Sequence, residues 1–166
     1  MSERARSGPP AAAAPHVVIA DPDPDTRTRM AACVRAVAGA QGLVVTIAEA
    51  KDGTTALALM GERRPRLLLC EALLEGISGF ALLRRVHAEW GAADSGNTRA
   101  SVTLGRRLPP PAGTCAVVFV SSMSRDADRY WGLRQGAFAY LGKPFTDDAL
   151  EAAIRKALAP AHVEGA

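Results

Sequence analysis

Leu67-Leu68-Leu69-Cys70 is a continuous apolar run that ends directly at an acid, Glu71. Three more runs end at a polar side chain in the same way: Val17–Ala20 before Asp21, Val117–Val120 before Ser121, and Ala139–Gly142 before Lys143. Such runs are typical of strands that are buried on both faces of a parallel sheet. Because the carboxyl ends of parallel strands meet along one edge, we expect two acids, a hydroxyl and an amine to share one pocket.

Length and composition favour a single soluble domain and exclude several classes of function. The chain has 166 residues, of which 48% are hydrophobic and 22% charged. The net charge is only +3 and the arginines form no block, so we do not expect nucleic-acid binding. No apolar run approaches the ~20 residues that span a bilayer, so we expect no membrane association. Cys33, Cys70 and Cys115 lack metal-ligand spacing and fit unpaired, buried thiols in a reducing cytoplasm.

Strand and helix patterns alternate along the chain and predict an α/β fold of the (βα)5 type. The predicted strands cover about 16–20, 44–48, 66–70, 116–120 and 138–141, and the predicted helices about 25–38, 54–62, 79–90, 125–135 and 146–158. In the first helix, an apolar stripe recurs at Met30, Cys33, Val34 and Val37. The predicted ordered domain is therefore 16–160, between a disordered tail at 1–15 and a short tail at 161–166.

Residues 91–114 interrupt this alternation between the third helix and the fourth strand. The segment is longer than an ordinary helix-to-strand connection and contains Pro109-Pro110-Pro111, so we interpret it as an insertion. It could be a surface excursion without a role, or a loop that docks a partner through Arg106, Arg107 and the prolines. Nucleic-acid binding through Arg99 and these two arginines is a less favoured third interpretation.

The order of the polar residues resembles the receiver domain of two-component response regulators, and the resemblance spans about 16–160. The matching positions are Asp21 after the first strand, Gly79 after the third-strand loop, Ser121, Tyr140 on the fifth strand, and Lys143-Pro144. The resemblance implies a doubly wound, five-stranded parallel sheet with the flavodoxin-like order 2-1-3-4-5.

Two departures from the family pattern indicate an atypical member, a pseudo-receiver. The family has an aspartate as phosphoryl acceptor where this chain has Glu71, and a second metal-binding acid where it has Pro22. Proline offers no side-chain oxygen, so we expect Mg²⁺ binding to be weak or lost and assign no cofactor. Asp23, one position further along, could replace the missing acid. The longer Glu71 side chain displaces its carboxylate by one methylene, which disfavours in-line attack on phosphorus.

The same pocket residues admit simpler roles. Glu71 could act as a permanent anion that partly imitates an acyl phosphate towards Ser121 and Lys143. Alternatively, Lys143 and Glu71 could form only a structural ion pair. Ser121 could serve only to cap a loop amide, and Asp21 could be held by neighbouring amides without a metal. The sequence leaves these alternatives open.

The resemblance also implies a partner surface on helix four, strand five and helix five. In predicted helix 125–135, spacing places Ala127, Tyr130 and Leu133 on the buried stripe and turns Trp131 outward, near Tyr140. An exposed tryptophan among arginines is typical of a protein-binding surface. The same surface could join two copies of the chain.

These observations favour a stand-alone atypical receiver that acts as a phosphorylation-independent protein-interaction module in bacterial signal transduction. The chain ends just after the fifth predicted helix, so we expect no output domain. We assign no catalytic residue and do not expect an enzyme. The alternative is a single-domain phosphorelay response regulator that still accepts a phosphoryl group.

Overall fold

A computed structural model describes residues 14–90 and 113–159. The predictions for most of the tail 1–15, for 91–112 of the insertion and for the tail 161–166 lie outside the described residues. So do the roles considered for Arg99, Arg106, Arg107 and the three consecutive prolines.

Five parallel strands form one sheet in the order β2-β1-β3-β4-β5, as predicted. The strands are β1 His16–Ala20, β2 Thr46–Ala50, β3 Leu67–Cys70, β4 Ala116–Ser121 and β5 Ala139–Gly142. β1, β3 and β4 lie in the middle of the sheet and are almost entirely buried, which explains their uninterrupted apolar sequences. The register pairs Ala20 with Cys70 and Ser121 with Gly142, so the carboxyl ends of the paired strands are level.

Helices cover both faces of the sheet, so the predicted doubly wound architecture is confirmed. They are α1 Pro24–Ala40, α2 Gly53–Glu62, α3 Gly79–Trp90, α4 Asp126–Arg134 and α5 Asp147–Leu158. One hydrophobic core lies beneath α1 and α5, and a second lies beneath α2, α3 and α4. The predicted α1 stripe at Met30, Cys33, Val34 and Val37 is buried in the first core. No helix in the described ranges has the length and apolarity needed to cross a membrane.

The prediction for the second strand was displaced by two residues. The expected span 44–48 is observed as Thr46–Ala50. The apolar pair Val44-Val45 suggested an earlier start, but Val44 is 75% exposed and precedes the pairing of Thr46 with His16. β2 lies at an edge of the sheet, where hydrophobicity locates a strand less sharply than it does in the centre.

The predicted buried stripe of α4 was wrong. Ala127 and Tyr130 are exposed and Leu133 is only half-buried, whereas Asp128 and Gly132 face the domain. The Tyr140 ring packs so close to Gly132 that a Cβ added there would lie 2.5 Å from Tyr140 Cδ2. This contact with β5 sets the rotation of the helix and overrides its apolar periodicity. Trp131 points outward as predicted, with 56% of its surface exposed.

Candidate functional site

Four side chains meet at the carboxyl edge of the sheet, as the strand ends predicted. We call Asp21, Glu71, Ser121 and Lys143 the pocket. Asp21 and Glu71 directly follow β1 and β3, Ser121 ends β4, and Lys143 directly follows β5. Asp21 and Ser121 are fully buried and Glu71 is 3% exposed. Buried polar groups at this density are tolerated only when they hydrogen-bond to one another.

Both oxygens of the Glu71 carboxylate are fully engaged. The Ser121 hydroxyl and the Leu73 backbone N–H donate to Oε1, the latter at 3.2 Å. The Ser122 backbone N–H donates to Oε2 at 3.1 Å, and Lys143 Nζ donates to the same oxygen at 2.9 Å. One ammonium, one hydroxyl and two amides therefore surround this carboxylate.

Lys143 bridges the two acids of the pocket. Its Nζ lies 2.6 Å from Asp21 Oδ2 and 2.9 Å from Glu71 Oε2. Its backbone N–H donates to the Ser121 carbonyl at 2.8 Å, which extends the β4–β5 pairing and directs the side chain across the strand ends. The Lys143–Pro144 peptide bond that follows is cis.

These contacts hold the pocket in its charged form. Burial alone would raise the pKa of Glu71, but hydrogen bonds from Ser121 and Lys143 outweigh it, and the pKa lies below its usual value. Burial would lower the pKa of Lys143, but hydrogen bonds to Asp21 and Glu71 raise it above its usual value. These pKa shifts favour the ionised forms of Glu71 and Lys143 in the folded domain.

Asp23 does not face the pocket. Its Oδ2 accepts hydrogen bonds from the Thr26 backbone N–H at 3.1 Å and from the Thr26 hydroxyl at 2.6 Å. These bonds cap the amino end of α1, which begins with Pro24, and they lower the pKa of Asp23. The Asp23 N–H donates to Asp21 Oδ1 at 2.9 Å, and the Arg27 guanidinium donates to the Asp21 carbonyl at 2.7 Å. The loop is thus stabilised by its own polar groups.

The donor set of the pocket does not fit the Mg²⁺ site that a receiver would use. Pro22 has no side-chain oxygen, and the carboxylate of Asp23 caps α1. Each oxygen of the Asp21 and Glu71 carboxylates already accepts a hydrogen bond. Among the described residues, no three or more His, Cys, Asp or Glu side chains are grouped so that they could hold a metal ion.

A short polar path joins the pocket to Tyr140. The Met123 backbone N–H donates to Ser121 Oγ at 3.1 Å, and the Tyr140 hydroxyl donates to the Met123 carbonyl at 2.6 Å. Ser121 therefore both accepts from a loop amide and donates to Glu71. Asp21 likewise accepts from a loop amide and pairs with Lys143.

The Tyr140 side chain also contacts α4. Its ring is buried against Phe119, with centroids 5.5 Å apart, and against Gly132. On the outer side of α4, Tyr130 and Trp131 are 61% and 56% exposed. The apolar spacing of α4 predicts a buried Tyr130, which is wrong. The backbone amides of Leu73 and Ser122 were not predicted to donate to Glu71, because no side-chain pattern identifies such donors.

The sequence and the fold are similar to those of known proteins. Protein PilH of Pseudomonas aeruginosa is 27% identical over 115 residues, which are 68% of this chain and 77% of PilH. Response regulator PleD of Caulobacter vibrioides is 29% identical over 109 residues, which are 66% of this chain and 20% of PleD. A response regulator receiver domain protein from Clostridium thermocellum superimposes with a TM-score of 0.60 at 16% identity, over 86% of this chain and 93% of that chain. No protein-family model matches the sequence.

The five-stranded parallel sheet with helices on both faces is a doubly wound α/β fold. The chain shares this fold with the response regulator receiver domain protein on which it superimposes. Glu71 lies at the carboxyl end of β3 in this fold, and Pro22 follows Asp21.

Proposed function

We propose that this chain is a receiver domain of two-component signalling that works without phosphorylation, as a protein-interaction module whose pocket is permanently occupied by the Glu71 carboxylate. The observation that carries the proposal is the set of contacts to Glu71. Ser121, Lys143 and two backbone amides bind its two oxygens. Hydroxyl, ammonium and amide donors of this kind also suit the oxygens of a phosphoryl group.

The same contacts disfavour phosphoryl transfer to Glu71. An attacking carboxylate oxygen must approach phosphorus in line, and its position is sensitive to displacements of about 1 Å. Glu71 is one methylene longer than aspartate, and both of its oxygens are already held by donors. The proposal includes weak or lost Mg²⁺ binding, because Pro22 supplies no ligand and Asp23 is directed to Thr26.

Glu71 would act as a partial mimic of the phosphorylated state. A carboxylate carries one negative charge, whereas a phosphoryl group carries about 1.5 to 2 and offers more acceptor oxygens. Glu71 orients Ser121, Ser121 holds the amide of Met123, and Met123 accepts from the buried Tyr140. By this path a constant anion would hold the Tyr140 side of the domain in one arrangement.

The partner would bind the surface formed by α4, β5 and α5. Trp131 and Tyr130 provide exposed aromatic area there, and Tyr130 is held in place by Arg134, which donates to its hydroxyl at 2.9 Å. Rigid aromatic side chains beside arginine are common in binding hot spots. A second copy of the chain is one candidate for this surface. A cytoplasmic location, consistent with three unpaired cysteines, belongs to the same proposal.

The test is intact mass spectrometry after incubation with Mg²⁺ and acetyl phosphate, beside an ordinary receiver as positive control. We expect the parent mass to remain unchanged while the control gains a phosphoryl group. The double variant Pro22→Asp/Glu71→Asp restores the family's acids and should gain some label. A phosphorylated parent, or equal labelling of parent and double variant, would show that the pocket is not disabled.

A further inference from the structure

A second surface, remote from α4, has the shape and charge of a docking site. α2 and α3 lie side by side over the second hydrophobic core, and two adjoining hollows of about 380 and 230 Å³ run between them. Both hollows are bordered by Leu57 of α2 and Arg85 of α3, so they form one continuous depression. We call it the α2–α3 groove.

The floor of the groove is apolar and its rim is basic. Leu57, Ile77 and Ala81 line the wider end, and Arg84 and Arg85 are the charged residues among the described residues that line it. At the narrower end, Arg85 forms an exposed ion pair with Glu89 at 3.4 Å. Beyond it, the Arg64 guanidinium lies 4.9 Å from the centroid of the Trp90 ring.

The charge around the groove is not balanced by its own residues. Among the described residues that line it, Arg84 and Arg85 contribute two positive charges and Glu89 one negative charge. Arg64 adds a further positive charge beside Trp90, at the narrower end. Within the described part of the chain, Arg84 forms no ion pair, although it stands directly over the apolar floor. An occupant with carboxylates beside its apolar side chains would complement both features.

We propose that the α2–α3 groove binds an acidic amphipathic helix of a partner protein. The groove follows α3, whose 12 residues at about 1.5 Å each give a length of roughly 18 Å. That length matches three turns of a bound helix, with apolar side chains at helical spacing on the floor and carboxylates against Arg84 and Arg85. This site is separate from the α4 surface and does not depend on whether the domain is phosphorylated.

Fluorescence anisotropy with two labelled synthetic helices tests the proposal. One 14-residue peptide carries leucine on one face and glutamate elsewhere, and the matched peptide carries lysine in place of glutamate. The acidic peptide should bind at least about tenfold more tightly, a difference of about 1.4 kcal/mol. Arg84→Glu should weaken its binding by a similar factor, while Trp131→Ala should leave it unchanged.

Each other outcome contradicts the proposal. Equal binding of the two peptides, or no saturable binding of the acidic one, would show that the groove does not select an acidic helix. Binding that survives Arg84→Glu but is lost in Trp131→Ala would assign the peptide to the α4 surface instead. Circular dichroism of each variant checks that the exposed substitutions leave the fold intact. The mass-spectrometric test of phosphorylation remains independent of all these results.

Discussion

The pocket and the outer side of α4 differ in almost every physical respect. In the pocket, each carboxylate oxygen accepts a hydrogen bond, and the Lys143 ammonium lies between Asp21 and Glu71. On α4, Tyr130 and Trp131 present more than half of their surface to solvent. The Ser121–Met123–Tyr140 path connects the two regions.

This difference predicts which region stabilises the domain and which region is available to bind a partner. A pocket whose polar groups are satisfied internally stabilises the domain and resists change, because disturbing any member exposes an unpaired charge. An exposed aromatic surface contributes little to folding and remains available for a partner. Substitutions in the pocket should therefore act on stability, and substitutions on the outer side of α4 should act on binding. Four predictions follow this division, from the largest effect to the smallest.

Lys143→Met should have the largest effect on stability. It removes the ammonium that neutralises Asp21 and Glu71 and leaves two buried carboxylates facing each other. Breaking a buried pair typically costs 3–5 kcal/mol, and the partial exposure of Lys143 reduces our expectation to about 2–4 kcal/mol. Urea unfolding at pH 7 measures it. Lys156→Met, an exposed change on α5, is the matched control and should shift stability by less than about 0.5 kcal/mol. If both variants unfold alike, the pocket is not the stabilising unit described here.

Gly132→Ala should destabilise the domain although alanine favours helices. The new Cβ would lie 2.5 Å from Tyr140 Cδ2 and 2.9 Å from Cε2, so the ring or the helix must move. Overpacking costs about 1–3 kcal/mol, which exceeds the gain in helix propensity of about 1 kcal/mol. Gly39→Ala in α1 is the control, because nothing lies within 4 Å of its added Cβ. That variant should gain up to about 1 kcal/mol in urea unfolding. A stabilised Gly132→Ala would contradict the close packing of Tyr140.

The pH dependence of the unfolding free energy should show whether the ionised Glu71 carboxylate stabilises the fold. The folded pKa of Glu71 lies below its unfolded value of 4.5, so the ionised carboxylate stabilises the fold above that pH. This contribution is lost as the pH falls from 4.5 through the lower folded pKa. Glu71→Gln lacks it, so the difference in unfolding free energy between parent and variant should shrink between pH 7 and pH 3. A difference that stays constant over this range would mean that the Glu71 charge does not stabilise the pocket.

The sheet and the pocket were predictable because they depend on features that are local in sequence. An uninterrupted run such as Leu67–Cys70 has few stable arrangements other than a central strand, and parallel strand ends then bring Asp21, Glu71 and Ser121 together. The capping role of Asp23 was also within reach, since an acid before Pro24 and three residues before Thr26 is a common helix start. We had instead considered Asp23 as a replacement metal ligand.

The rotation of α4 was not predictable in this way. Periodicity assumes that the most apolar stripe is buried, but Gly132 offers the closest approach to the sheet and the ring of Tyr140 uses it. That contact joins two elements whose relative position is set only in the folded domain. The same holds for the amides of Leu73 and Ser122, whose direction towards Glu71 depends on loop conformation rather than residue type.

Trp131→Ala should have the smallest effect on stability and the clearest effect on binding. Because the side chain is 56% exposed, we expect the unfolding free energy to change by no more than about 0.5 kcal/mol. If a second copy of the chain is the occupant of the α4 surface, the variant should shift a concentration-dependent dimer towards monomer in sedimentation equilibrium. Val44→Ala, a change at an exposed apolar side chain before β2, is the matched control and should leave association unchanged. A loss of several kcal/mol in Trp131→Ala would show that the tryptophan packs on its own domain, and the contrast between the pocket and the α4 surface would then be wrong.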